Sequence, residues 1–415
     1  MPTLVNHGSP FASMRIIQFR HLMTGRFIFI VGLRMMATVV GWWVYELTGD
    51  PFAIGLIGLS EVIPAVSLAL YAGHVIDKSE KRGLLLKGVF FYFFCALVLV
   101  FLSAGFTKHY LSNHQITIGI YFVVFCTGII RSFAGPVTNV LLAYIVPKDH
   151  LANATTWSQG AWLSASVTGH AMGGFLIALI GINGTLITIT ALISIALFFF
   201  TFLKKQLAIP KTFIVSTWES VKEGLRFVYK TKEILGALTL DLFAILFGGA
   251  VAMVPVFAKD ILNVGAVGFG WLNAAVDMGA ICIVVLLTIF PMKTKQGKKL
   301  FFAIAGFGIC IIIFAFSRSF LLSFIVLLIA GMLDGVSVVV RGTILQLKTP
   351  MELRGRVMSV NSMFINSSNE LGQFESGLAA KIMGVIPSVV FGGGMTLLIV
   401  ITTWIKAPKL RKLEY

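Results

Sequence analysis

Asp334 and Arg341 stand two helical turns apart in a run that is otherwise apolar, and a basic pair, Arg354 and Arg356, follows it. Beyond that pair the chain turns polar, with Ser359, Ser362, Asn366, Asn369, Gln373 and Ser376 at three- and four-residue steps and with Glu370 and Glu375 among them. Such spacing puts the small polar groups on one face of a helix. An ionisable side chain inside an apolar span is costly and by default marks a polar pathway. Arg34, Glu61, Arg131, Asp241 and Asp277 fall in apolar runs of their own. The chemistry within reach is binding a charged or polar solute and carrying a proton, with Glu61, Asp277, Asp334, Glu370 and Glu375 as candidate carriers. Arg34, Arg131, Gln159, Asp334, Arg341, Asn366 and Gln373 are the candidate lining of a substrate cavity. Asp334 and Arg341 lie about 10 Å apart along a helix axis, too far to pair directly. The competing reading for each is a structural ion pair with a neighbouring helix, and for the polar face it is ordinary helix packing.

Composition explains where these residues must sit. With 57% hydrophobic and 12% charged residues and a mean hydropathy of +0.93, the 415-residue chain is far more apolar than a soluble domain. A helix crosses a bilayer in about 20 apolar residues. Twelve candidate spans follow: 22–46, 53–76, 84–106, 116–145, 153–180, 184–203, 234–258, 266–290, 299–317, 320–345, 355–382 and 385–405. The fifth and eleventh are the most polar. The expected fold is an all-α membrane protein of twelve transmembrane helices in two pseudo-symmetric six-helix halves. Its parts are a cytoplasmic segment at 1–21, halves at 22–203 and 234–405, a cytoplasmic linker with an amphipathic helix at 204–233, and a basic tail at 406–415.

The net charge of +16 could suggest nucleic acid, but its placement argues against that. With the N-terminus cytoplasmic, only Lys108, Lys259 and Arg318 fall outside, and most other Lys and Arg fall in cytoplasmic segments. Both termini are therefore expected in the cytoplasm, with the basic loops near anionic headgroups. No cleavage site precedes the first span, so no signal peptide is expected. Cys95, Cys126, Cys282 and Cys310 lie within spans without CxxC spacing, which speaks against a metal or redox site. HExxH, GxSxG and P-loop patterns are missing, so neither an enzyme nor an ATP-driven pump is indicated. No cofactor is expected.

One constant offset superposes Gly128 on Gly331, Val137 on Val340, Pro147 on Pro350, Gly169 on Gly372 and Gly174 on Gly377. This is the mark of a parallel repeat. It places Arg131 opposite Asp334, a cation where the second half carries an anion.

The loop Gly73–Arg82 reads GHVIDKSEKR. It resembles the signature loop of the major facilitator superfamily, G-x-x-x-D-[RK]-x-x-[RK]-[RK], through Gly73, Asp77, Lys78, Lys81 and Arg82. GIIRSFAGP is similar to the superfamily's fourth-helix R-x-x-x-G through Arg131 and Gly135. GHAMGG, from Gly169 to Gly174, resembles its antiporter pattern G-P-x-x-G-G with His170 in place of proline. The stretches Trp42–Ala65 and Thr349–Phe364 resemble the bacterial subfamily that contains enterobactin exporters and macrolide efflux proteins. The resemblance implies a monomeric inner-membrane transporter working by alternating access. It further implies a small-molecule substrate such as a siderophore, exported against protons, and a cytoplasmic gate of Gly73, Asp77, Lys81, Arg82, Arg354 and Arg356. Siderophore uptake and broad drug efflux are alternatives within the class, and a non-transporting membrane sensor is one outside it.

Overall fold

The computed structural model describes residues 10–205, 217–292 and 294–414. Lipid offers no partner for backbone N–H and C=O groups, so a chain this apolar must satisfy them within helices. Among the described residues there is no strand. The elements are α1 (Ile17–Thr48), α2 (Pro51–Lys78), α3 (Lys81–Ser103), α4 (Asn113–Ile145) and one 51-residue helix, Leu151–Thr201. That helix is broken at Gly181, whose φ of 70° lies in the left-handed region, into α5 (151–180) and α6 (182–201). An amphipathic helix, α7 (Thr217–Lys230), leads into α8 (Lys232–Phe247), α9 (Gly265–Ile289), α10 (Gln296–Phe316), α11 (Phe320–Lys348), α12 (Arg354–Met383) and α13 (Val385–Lys406).

The stop and start signals are local chemistry. Gly49 ends α1 at φ 62°, and the Asp50 side chain accepts from the Phe52 N–H at 2.9 Å while Pro51 opens α2. Ser112 and Gln115 close a reciprocal cap on α4. Ten helices among the described residues are long and apolar enough to cross a membrane. Two of the twelve expected spans account for the difference: α5 and α6 count together as one continuous helix, and α12 is too polar to qualify. The seventh expected span lies within the apolar stretch Lys232–Ile261, which is α-helical to Phe247 and then continues as a 3-10 turn at Gly249–Met253, a short α-helical piece at Val254–Val256 and a π turn at Phe257–Ile261. At this break α12 comes close, and a methyl group on Gly249 would lie 2.6 Å from the carbonyl oxygen of Gly372.

The matched glycines of the repeat make matched contacts. Gly128 of α4 seats against the Glu61 carbonyl of α2, and Gly331 of α11 against the Val276 carbonyl of α9. Gly169 of α5 meets Val31 and Arg34 of α1, as Gly372 of α12 meets Ile245 and Leu246 of α8. Gly174 of α5 meets Ala266 and Gly270 of α9, as Gly377 of α12 meets Pro51 and Gly55 of α2. The last pair forms two seams, α5 on α9 and α2 on α12, joining the helices before the linker to those after it. Both seams sit at the end of the bundle remote from the linker. There the Tyr45 hydroxyl also donates to Asp260, and Trp42 packs on Phe269 with ring centroids 5.6 Å apart.

A methyl group on Gly331 would lie 2.0 Å from a backbone oxygen, whereas one on Gly342 of the same helix meets nothing within 4 Å. Gly331→Val is expected to cost about 1–3 kcal/mol through overpacking. Gly342→Ala should be neutral or slightly stabilising. Thermal unfolding of the two purified variants checks the contrast, and equal midpoints would refute the assigned packing.

Candidate functional site

Where α2, α4 and α12 meet, Arg131 Nη1 lies 2.5 Å from Glu61 Oε1 and 2.8 Å from Glu370 Oε1. Glycines let the three helices come this close. A methyl group on Gly58 of α2 would sit 2.5 Å from the Glu370 carbonyl, and one on Gly128 of α4 would sit 2.6 Å from that of Glu61. Two carboxylates on one guanidinium leave the cluster with a formal charge of −1. Arg131 retains 37% side-chain exposure, so the cluster is reached by solvent. Glu61 comes from before the linker and Glu370 from beyond it.

A second group bridges α5 and α9. Ser166 Oγ donates to Asp277 Oδ2 at 2.6 Å, His170 Nε2 lies 3.7 Å from the same oxygen, and His170 Nδ1 is 2.8 Å from Thr38 Oγ1 on α1. Arg34 sits over the Trp162 ring at 5.2 Å and interacts electrostatically with His170, Asp277 and Glu370. Ser166 and Thr38 were not singled out in sequence. Ser166 lies one helical turn before His170, which is the signal that could have found it.

The open side of the bundle is legible from exposure. On α12, Gly355, Ser359, Ser362 and Asn369 are exposed, while Gly372, Ser376 and Gly377 beyond them are buried. On α5, Thr155, Thr156, Gln159, Gly160 and Ser164 are exposed, and the helix closes at Gly169. On α4, Gly135 and Asn139 are exposed. Polar faces of this kind belong against water rather than lipid. Together with the seams they describe a cleft open at the linker end and shut at the far end. The side chain of Asn366, in line with this face, lies outside the described residues. Gln373 is half-buried and donates to the Ile54 carbonyl at 3.2 Å. Glu375 is half-buried and 3.5 Å from Ser376 Oγ. Asp334 is half-buried on α11, and among the described residues no hydrogen bond or ion pair reaches it.

Arg341 is placed elsewhere. It is 3% exposed and ion-paired with Asp241 of α8, which also accepts from Ser337 Oγ at 2.9 Å. It therefore lies in the packed interface of α8 and α11, away from the open faces. The loop residues do capping work: Lys81 donates to the Ile76 and Ser79 carbonyls at the end of α2, and Arg82 donates to the Thr201 carbonyl at 2.6 Å. Arg354 donates to the Gln346 carbonyl at 3.1 Å, and Arg356 pairs with Glu223 of α7, tying the linker to α12. The surroundings of Gly73 and the side chain of Asp77 lie outside the described residues, so their part of the expected gate does too. Among the described residues no group of three or more His, Cys, Asp or Glu gathers to hold a metal.

Comparison with known proteins decides the family. The profile of the MFS_3 family, described as transmembrane secretion effector, matches residues 8–415. The chain belongs to this family of major facilitator transporters. It is similar to the enterobactin exporter EntS of Shigella flexneri, 23% identical over 82% of this chain and 79% of EntS. It is also similar to the uncharacterized MFS-type transporter YfmI of Bacillus subtilis, 20% identical over 86% of this chain and 88% of YfmI. Among solved structures it resembles a D-xylose-proton symporter, with a TM-score of 0.74, 14% identity and coverage of 97% of this chain and 100% of that one. A bacterial homologue of ferroportin in an inward-facing state gives a TM-score of 0.73 at 14% identity, covering 96% and 99%. At such identity the likeness establishes the fold. The transporter is a multi-pass membrane protein and not an enzyme.

Removing one partner of a buried ion pair strands the other charge, at a cost of about 3–5 kcal/mol, whereas replacing both with apolar groups is often neutral. Arg341→Met alone is therefore expected to lower the unfolding midpoint, and Arg341→Met with Asp241→Leu to recover most of it. Thermal unfolding in one detergent checks this; an unchanged midpoint in the single variant would exclude the pair as a structural element.

Proposed function

We propose that this chain is a proton-coupled transporter of the cytoplasmic membrane that exports a siderophore or a similar small organic molecule by alternating access. The observation that carries the reading is the Glu61–Arg131–Glu370 cluster, which spans the two sides of the linker at the head of the open cleft. The halves at 22–203 and 234–405 rock about it, working as a monomer with both termini in the cytoplasm, so that the open linker end faces the cytoplasm. Arg34, Arg131, Gln159, Asp334, Asn366 and Gln373 line the route. Glu370 and Glu61 exchange the proton, with Asp277, Asp334 and Glu375 as further carboxylates on the route. Gly73, Asp77, Lys81, Arg82, Arg354 and Arg356 form the gate that must close at the linker end when the far end opens. Export of enterobactin is the activity named for the Shigella flexneri relative, and this supports the substrate class.

The sign of the coupling follows from the cluster. An anionic group gains Arg131 only when a carboxylate beside it is protonated, so anion and proton would bind together. A cationic group, or a donor such as a catechol hydroxyl, competes with the proton for Glu61 and Glu370. Mutual exclusion of this kind is what export against inward proton flow requires, because the two ligands must reciprocally weaken each other. The same observation favours a second reading, broad efflux of apolar cations. Arg131 and Arg341 are both matched by carboxylates, whereas Asp334 has no partner among the described residues.

Everted membrane vesicles test both. Accumulation of a catecholate siderophore, or of a cationic dye for the second reading, should require the pH gradient. Glu370→Gln should reduce it at least tenfold, as loss of one member of a hydrogen-bonded charge pair costs about 2–5 kcal/mol. Accumulation unchanged after the gradient is collapsed would refute proton coupling. Accumulation of the dye alone would select the second reading.

A further inference from the structure

Arginines within the spans differ in what holds them. Arg131 lies between Glu61 and Glu370, and Arg341 pairs with Asp241. Arg26 and Arg34, both on α1, have no carboxylate at ion-pair distance among the described residues. Their neighbours are neutral and belong to α5: Arg26 Nη1 donates to Ser158 Oγ, and the Arg34 guanidinium lies over the Trp162 ring at 5.2 Å.

These contacts follow one register. Ser158, Trp162 and His170 recur at multiples of four residues and so share a face of α5, which Arg26, Arg34 and Thr38 of α1 meet in turn. A hydroxyl and an indole ring orient a guanidinium but cancel none of its charge. An ion inside a bundle that is not paired must be wet. Both arginines are half-buried, and neither contributes a nitrogen to the buried polar atoms left without a partner, so their spare N–H groups lie where solvent reaches. The wet surface beside them is that of the cleft, where Thr155, Thr156 and Gln159 of α5 are exposed next to Ser158. Arg34 also acts electrostatically on Asp277 of α9 and Glu370 of α12, the helices that face it from beyond the linker. Eight residues of helix set the two arginines about 12 Å apart along α1, with Arg26 nearer the linker end. A single oxyanion touches one of them at a time.

We propose that Arg26 and Arg34 form an anion subsite on the α1–α5 wall of the cleft, which takes the carboxylate of an organic acid first at Arg26 and then, deeper, at Arg34. The planar fork of a guanidinium matches the two oxygens of a carboxylate. The subsite is separate from the Glu61–Arg131–Glu370 cluster, whose net charge of −1 repels a further anion. It rests on the exporter reading and deepens it by naming one end of the substrate. The acidic end is held on α1, and hydroxyl donors at the other end reach Glu61 and Glu370, where they compete with the proton.

The test measures binding rather than transport. Fluorescein and tetramethylrhodamine methyl ester share a xanthene core; the first carries a carboxylate and a phenolic hydroxyl, and the second is an esterified cation. Fluorescence anisotropy reports each dye on the full-length transporter in lipid nanodiscs, with no pH gradient. Fluorescein should bind the more tightly. Arg26→Gln and Arg34→Gln should each weaken fluorescein about tenfold or more, as loss of a hydrogen bond to a charged group does, and should leave the rhodamine ester unweakened. Neither change strands a carboxylate, so both variants should keep the wild-type unfolding midpoint. Arg34→Lys keeps the charge without the fork and should fall between wild type and Arg34→Gln. Equal affinity for the two dyes, wild-type fluorescein binding in both glutamine variants, or a parallel loss of both dyes would overturn the proposal. If vesicle accumulation persists after the gradient is collapsed while fluorescein binding depends on the two arginines, the proton-coupled reading falls and the subsite stands.

Discussion

Two helix seams, α5 on α9 and α2 on α12, set the terms for everything else in this transporter. Each needs backbone to meet backbone, so each is made by glycine facing glycine: Gly174 with Gly270, and Gly377 with Gly55. Lipid gives helices no hydrophobic reason to associate, and close approach through small residues is the attraction that remains. Because the contacts are confined to one end, the other end is left open. The polar faces of α4, α5 and α12 then meet water along the cleft.

Charge follows from that geometry. Inside a bundle an ion is tolerated when it is paired or wet. Arg341 and Asp241 take the first course, deep between α8 and α11. Arg131 takes both, held by two carboxylates yet still partly exposed. Holding Arg131 between Glu61 and Glu370 also ties the halves electrostatically across the cleft.

The repeat was legible as five identities at one offset, and the structure gives three of its glycine pairs the same task in both halves. Their contacts were not legible, since sequence symmetry does not say which helix a glycine will meet. The polar stripe of α12 was readable from its spacing, but its division into a wet part up to Asn369 and a sealed part from Gly372 was not. The break after Phe247 escaped because apolar residues continue through it, and the Gly372 backbone that comes close there lies far along the chain.

What the sequence alone determined is the class: a helical membrane bundle with a two-part architecture, fixed by apolar runs, turn chemistry and periodic polar residues. These are local properties, and lipid enforces them without reference to the rest of the fold. Which charges pair was decided only in three dimensions. Glu370 reaches Arg131, Asp241 reaches Arg341, and Asp277 meets Ser166 and His170, all across helices that packing brings together. A charge's role depends on its nearest opposite charge and on its access to water, and both are properties of the assembled bundle.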